Sequence, residues 1–252
     1  MIHDESAPGG FPSAWSEKEI TGIAYDSRKV EKDALFVAVA GEHVDGHDFI
    51  EDALAKGAAA VIGERNLRCI APHGPLFLRV QDSRRALACV ANNFYERPSE
   101  EITVIGVTGT NGKTTTTYLL KSILEAAGEK VGIIGTIRYL IGENGYPAFH
   151  TTPEAPEFQG LLRRMVSAGC SSVVTEVSSH ALSQERADFT RFRCAVFTNL
   201  TRDHLDFHHT MEEYFEAKKR LFAELLLEAE GIIKTTSPPS AIQRRSSPSR
   251  QA

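Results

Sequence analysis

Residues 102–107 form a nearly continuous apolar run, and the segment Gly109-Thr110-Asn111-Gly112-Lys113-Thr114-Thr115 follows almost at once. A run that is apolar throughout, not only at alternate positions, is predicted to be a strand buried on both faces. Such strands belong to parallel sheets covered by helices. The glycines permit a tight turn, and a helix is predicted from about Lys113 to Ala127, closed by Gly128. In that order, strand, turn and helix N-terminus gather backbone N–H groups and the positive end of the helix dipole around an anion. Lys113 adds a point charge suited to β- and γ-phosphates, and Thr114 a hydroxyl suited to Mg²⁺. The loop is therefore read as a site for the triphosphate of ATP. A strict Walker pattern needs glycine where Val107 stands, so the loop departs from it at one position.

The same alternation runs along the rest of the chain. Strands are predicted at 20–25, 35–40, 59–62 and 76–80, with a helix over 47–56 ending at Gly57 and another, capped by Asp82, running to about Tyr95. Arg97-Pro98-Ser99 breaks the pattern and is read as a domain boundary. Beyond it, strands are predicted at 131–134, 172–175 and 195–198, a polar hairpin around 142–145, and helices over 157–168 and from Thr210 to about Leu227. Thr210 and Glu213 form a capping box for the last of these. Repeated β-α-β units predict an α/β fold: a Rossmann-like nucleotide-binding domain over 1–97, then an incomplete P-loop parallel-sheet ATPase domain over 98–234. Residues 235–252 are rich in Ser, Pro and Arg, lack any hydrophobic period, and are read as disordered.

The chain's 252 residues are enough for two ordinary cores. A net charge of −5 argues against a nucleic-acid binder. No stretch approaches the ~20 apolar residues of a membrane span, and the first residues lack the apolar core of a signal peptide, so the cytoplasm is expected. Cys69, Cys89, Cys170 and Cys194 show no metal-ligand spacing and are expected to be reduced thiols.

Three further segments carry candidate chemistry. Glu176 stands where an apolar strand ends, the end of a parallel sheet at which ligands bind. A carboxylate there could hold Mg²⁺, or could simply face solvent from a loop. His204 and His208 are four residues apart, but Asp203 and Asp206 between them suggest a loop instead of one helix face. With no third nitrogen or sulfur ligand at suitable spacing, zinc is disfavoured. Lys218, Lys219 and Arg220 read, without context, as the solvated basic face of a helix.

The motifs GVTGTNGKTTTT, TTPE, TEVSSHAL, FTNLTRDHLDFH and EAKKRLF occur in order. Together they resemble the Mur ligases of peptidoglycan synthesis. The first-domain segment Ala24-Tyr25-Asp26-Ser27-Arg28-Lys29-Val30 narrows the resemblance to members that extend UDP-N-acetylmuramoyl-L-alanyl-D-glutamate by diaminopimelate or lysine. The family's loop is itself GTNGKTT, which accounts for Val107. The resemblance implies ATP-dependent phosphorylation of the D-glutamate carboxylate, then attack by an amine on the acyl phosphate. It implies that Lys113 contacts the phosphates, that Thr114 and Glu176 serve Mg²⁺, and that His204 and a carboxylated Lys218 serve a second metal position. It implies contacts to the uridine nucleotide from Ser27. Thr151, Thr152, Ser178, Gln184 and Arg186 match the family's contacts to the muramoyl-dipeptide.

The resemblance ends soon after Leu227, where the family continues its central sheet and adds a C-terminal domain that recognises the amino acid. The tail is read as out of frame or truncated, and the chain as written is expected to have little or no ligase activity. The alternatives are a fragment that holds ATP or UDP-sugar without turnover, and another amide ligase of the same superfamily. Among those, folylpolyglutamate synthases typically have Gly-Ser after the loop lysine where this chain has Thr114-Thr115, and cyanophycin synthetases share the loop but not the first domain.

Overall fold

The computed structural model describes residues 19–41, 44–65 and 76–233. Four short strands, β1 (Ile23–Ala24), β2 (Leu35–Val37), β3 (Ala60–Gly63) and β4 (Leu76–Arg79), form one all-parallel sheet in that order. Successive strand residues point to opposite faces. Phe36 and Val61 thus meet Ile50 and Ala53 of helix α1 (Ile50–Ala55). On the other face Val37 and Ile62 meet Ala86 and Leu87 of helix α2 (Ser83–Phe94), which Asp82 caps by accepting from Arg85 N–H. The predicted helix over 47–56 is shorter than expected. Gly46–Phe49 is a 3₁₀ turn, because Asp45 accepts from His47 N–H and meets its ring Nδ1, tightening the entry before α1 begins.

The second sheet contains β5 (Thr103–Thr108), β6 (Val131–Ile134), β7 (Arg138–Ile141), β8 (Asn144–Pro147), β9 (Ser172–Glu176), β10 (Phe192–Phe197) and β11 (Leu226–Ile233). Its order is β11-β10-β5-β9-β6-β7-β8, parallel as far as β6 and finished by the antiparallel hairpin β7–β8. Helix α3 (Lys113–Ala126) covers one face, laying Leu120 and Leu124 on Ile105, Val107 and Val174. Helix α4 (Ala155–Ser167) covers the other through Phe158, Leu162 and Met165, all fully buried. The remaining helices, α5 (Ser179–Ser183), α6 (Leu205–His208) and α7 (Met211–Arg220), lie near the carboxyl ends of β9 and β10 in the chain. Polar contacts join the two layers: Tyr25 OH donates to Glu157 Oε1 (3.0 Å), and the Arg163 guanidinium donates to Tyr95 O (2.9 Å).

The helix capped by Thr210 runs as an α-helix to Arg220 and continues as a π-helical turn over Leu221–Leu225, two residues short of the expected end near Leu227. The strand that follows it, β11, parallel to β10, was not expected. Leu225-Leu226-Leu227 extends a helical pattern as readily as it opens a strand. The neighbouring β10 decides between them. Residues 235–252 and Cys69 lie outside the described residues, while Cys89, Cys170 and Cys194 form no disulfide. Among the described residues no helix is long and apolar enough to cross a membrane.

Candidate active site

Parallel pairing brings the carboxyl ends of β5, β9 and β10 to one side, with Val107 opposite Glu176 and Thr108 opposite Phe197. The loop after β5 is pinned from β10. Asn199 accepts from Thr110 N–H with its carbonyl (2.9 Å) and from Asn111 N–H with Oδ1 (3.0 Å), and Thr198 Oγ1 donates to Asn111 O (2.7 Å). Those two loop N–H groups are therefore structural. The unpaired backbone donors are those at the start of α3, after Gly112, where the helix has no side-chain cap. Asn199 lay unremarked in the sequence, since nothing local ties a strand-end asparagine to a loop ninety residues earlier.

Lys113 folds over the loop, its Nζ donating to Gly109 O (2.9 Å) and Thr110 O (2.8 Å). Burial lowers its pKa, against the opposing pull of Glu176 and Asp203. Glu176 is the last residue of β9 and is 1% exposed, which excludes the solvent-facing alternative. Its Oε1 accepts from Thr136 N–H (3.0 Å), and its Oε2 from the hydroxyls of Thr114 (3.0 Å) and Thr136 (3.0 Å). A side chain at Gly135 would strike Glu176 Oε1 at 2.5 Å, so the carboxylate uses space that only glycine leaves.

Thr151, Thr152, Ser178, Arg186 and His204 line the same cleft as loop residues 110–115 and Glu176, with a volume of about 550 Å³. Thr152 Oγ1 donates to Glu176 O (2.8 Å) and accepts from Ser178 N–H (3.1 Å), and Arg186 Nη1 donates to Thr152 O (3.1 Å). Gln184 does not line the cleft but orients Arg186 through its Oε1 (3.1 Å). Ser27 is not among the cleft residues. It opens a 3₁₀ turn after β1, is buried, and accepts at its carbonyl from Lys56 Nζ (2.9 Å).

Lys218 does not belong to a solvated face. It is 1% exposed, its Nζ donates to Gly109 O (3.0 Å) and lies 4.4 Å from the Tyr214 ring centroid. Burial, aided by the charge of Lys113, pushes its pKa down to about 7. Lys219, one position on, faces solvent and pairs with Glu216 (2.7 Å). The segment read as a loop around His204 contains α6, with His204 at its N-cap in the left-handed region (φ 52°). His208 turns inward, 5.4 Å from the His180 ring and 5.2 Å from that of Tyr214. Among the described residues no set of three His, Cys, Asp or Glu side chains could hold a metal ion by itself. The hard oxygens of Thr114 and Glu176 nevertheless fit Mg²⁺, which takes one or two protein ligands and completes its shell with phosphate and water.

Burial, then His180 and Lys218, lower the His208 pKa from 6.5 to about 4, and its Nε2 has no hydrogen-bond partner. An unfolded chain protonates this histidine at about 6.5, the folded one only near 4, so the unfolded state binds more protons between those values. Stability should fall as pH drops through that window. Denaturant midpoints measured across it should show a shallower loss for His208→Gln than for the wild type, and parallel curves would refute the assignment.

Residues 107–250 match the family model described as the Mur ligase middle domain, and residues 19–95 match that described as Mur ligase family, catalytic domain. The chain is 51% identical over 209 residues to the UDP-N-acetylmuramoyl-L-alanyl-D-glutamate--2,6-diaminopimelate ligase of Geobacter sulfurreducens, covering 83% of this chain and 41% of that protein. A Geobacillus kaustophilus protein of the same name is 48% identical, with 86% and 44% covered. A solved structure of a ligase of that name superimposes with a TM-score of 0.72 at 32% identity, over 85% of this chain and 43% of the other. The structure of MurF ligase from Thermotoga maritima in complex with ADP gives 0.56 at 27% identity, over 84% and 45%. The chain thus spans about two-fifths of the length of its curated relatives.

Proposed function

The chain belongs to the Mur ligase family, and on that premise we propose that it carries the ATP site and the nucleotide-sugar site of a peptidoglycan ligase. The reaction joins a diamino acid, diaminopimelate or L-lysine, to UDP-N-acetylmuramoyl-L-alanyl-D-glutamate in the cytoplasm. The relatives' names favour diaminopimelate. The γ-phosphoryl group passes to an oxygen of the D-glutamate carboxylate, leaving ADP. The amine then attacks the acyl carbon, phosphate departs, and the amine loses its proton.

The observation that carries this reading is the shared cleft. The loop with Lys113 and the walls with Thr151, Thr152 and Arg186 face one space, as transfer between a nucleotide and a carboxylate requires. Lys113 supplies positive charge beside the phosphates, and the uncapped start of α3 supplies N–H donors. Arg186, held by Gln184 and by an ion pair with Glu154 (2.9 Å), offers a guanidinium edge to an anionic acceptor. Thr114 and Glu176 would hold Mg²⁺, which would neutralise charge on the transferring phosphoryl group. The depressed Lys218 pKa supports a neutral amine able to take up CO₂. The resulting carbamate, with His204, would serve a second metal position. Residues 1–97 are read as the nucleotide-sugar domain, with Ser27 at the uridine nucleotide, and 98–234 as the ATP domain.

Calorimetry with ATP·Mg²⁺ and, separately, with the UDP-muramoyl dipeptide tests the two sites, and phosphate release in the presence of each amine tests turnover. Binding of both ligands is expected. A chain that binds ATP but ignores the nucleotide-sugar would refute the assignment of the first domain.

A further inference from the structure

Thr136 follows β6 and was not singled out by any motif. Three contacts converge on it: its N–H donates to Glu176 Oε1 (3.0 Å), its hydroxyl lies 3.0 Å from Glu176 Oε2, and the same hydroxyl lies 3.0 Å from Thr151 Oγ1. A hydroxyl has one proton to give. Glu176, as a carboxylate, can only accept, so the Thr136 proton goes to Oε2. The contact with Thr151 must then run the other way, with Thr151 donating and Thr136 accepting. The hydroxyls form one directed chain, Thr151 to Thr136 to Glu176, and Thr114 also reaches Oε2 (3.0 Å). This chain links Thr151, read as an acceptor-side residue, to the carboxylate read as the metal side.

We propose that Thr136 is a positioning residue that fixes the Glu176 carboxylate for the metal–ATP complex and couples it to Thr151. The inference rests on the reading of Glu176 given above. With both oxygens engaged by these donors, Glu176 presents one orientation to the cleft. The Thr151 hydroxyl, its proton committed inward, presents only lone pairs to the cleft. It is thereby set to accept from a donor on the bound substrate, and unsuited to donate to a carboxylate.

The test compares Thr136→Val and Thr136→Ser in the full 252-residue chain. Valine matches threonine in shape and retains the backbone N–H, so only the hydroxyl is lost. Calorimetry should show ATP·Mg²⁺ bound about tenfold more weakly by Thr136→Val, the scale expected for one hydrogen bond to a charged group. Binding of ATP in EDTA should be unchanged, because Thr136 does not touch the loop donors, and Thr136→Ser should match the wild type. In a double-mutant cycle, Thr151→Val should weaken ATP·Mg²⁺ binding in the wild type and have no further effect on Thr136→Val. Equal losses with and without Mg²⁺, or additive effects of the two valines, would overturn the inference while leaving the ATP site intact. A wild-type chain whose ATP affinity ignores Mg²⁺ would overturn the metal reading of Glu176, and this inference with it.

Discussion

Gly109→Ala is expected to destabilise the protein by about 3 kcal/mol or more and to abolish measurable ATP binding. Two costs combine. Gly109 holds φ at 138°, a conformation that side-chain-bearing residues adopt only with strain. The added methyl would also fall on Thr198 Oγ1, with Asn199 N and O each only 3.0 Å away. Thr198 cannot step aside cheaply, because its hydroxyl is engaged with Asn111 O (2.7 Å) and Thr108 O (3.3 Å), and Asn199 is backbone holding Thr110. The loop would have to lift away from β10, and the Gly109 carbonyl shared by Lys113 and Lys218 would move with it. For a domain of this size the loss corresponds to a melting point lower by about 6–12 °C. Thermal unfolding and ATP calorimetry on the variant check both parts. A variant that melts with the wild type and binds ATP normally would show that the loop is not held as described.

How much of this was legible beforehand depended on whether the deciding neighbours lay nearby in sequence. The core strands β5 and β6 were readable because burial on both faces leaves a nearly continuous apolar run, and the loop because its glycines, lysine and threonine are adjacent. Glu176 was readable as a position at a strand end, but not as buried. That required Gly135 and Thr136, which reach it only once β6 and β9 pair. Thr136 itself is an ordinary threonine in sequence, as Asn199 is an ordinary asparagine. The two adjacent lysines on α7 mark the limit most sharply. Lys218 and Lys219 are chemically identical and one residue apart, yet a rotation of about 100° along the helix buries one and exposes the other. Composition alone favoured the solvated face for both. The family resemblance pointed to Lys218, and packing beneath the loop supplies a physical reason. Strand β11 was missed for the converse reason, since a stretch such as Leu225-Leu226-Leu227 satisfies a helix as well as a strand until β10 is beside it.

The buried lysine yields the other large effect. Lys218 has its pKa lowered from 10.5 to about 7, chiefly by burial. Between those two values the unfolded chain holds a proton at this position that the folded chain releases, so the free energy of unfolding rises with pH across that window. The slope is up to ~1.4 kcal/mol per pH unit. Below about 7 both states are protonated, and the penalty of burying the cation is constant and at its largest. Lys218→Met removes the titrating group and keeps an unbranched apolar chain in the same space. Gly109 O is not orphaned, because Lys113 still donates to it at 2.9 Å. The variant should therefore be more stable than the wild type at neutral pH, by roughly 3–5 kcal/mol, with the advantage shrinking as pH rises towards 10.5. Functionally the change runs the opposite way: methionine cannot be carboxylated, and ATP·Mg²⁺ binding should weaken in spite of the added stability. Gain of stability with loss of function is what a group held at cost for its chemistry predicts, and a merely structural lysine would not give it. Denaturant unfolding of both chains from neutral to alkaline pH, with and without bicarbonate, separates the cases. Carboxylation would add the mass of one CO₂ to the wild type alone and flatten its pH dependence in bicarbonate. Parallel stability curves for wild type and Lys218→Met in the absence of bicarbonate would show that the amine is not held neutral beneath the loop.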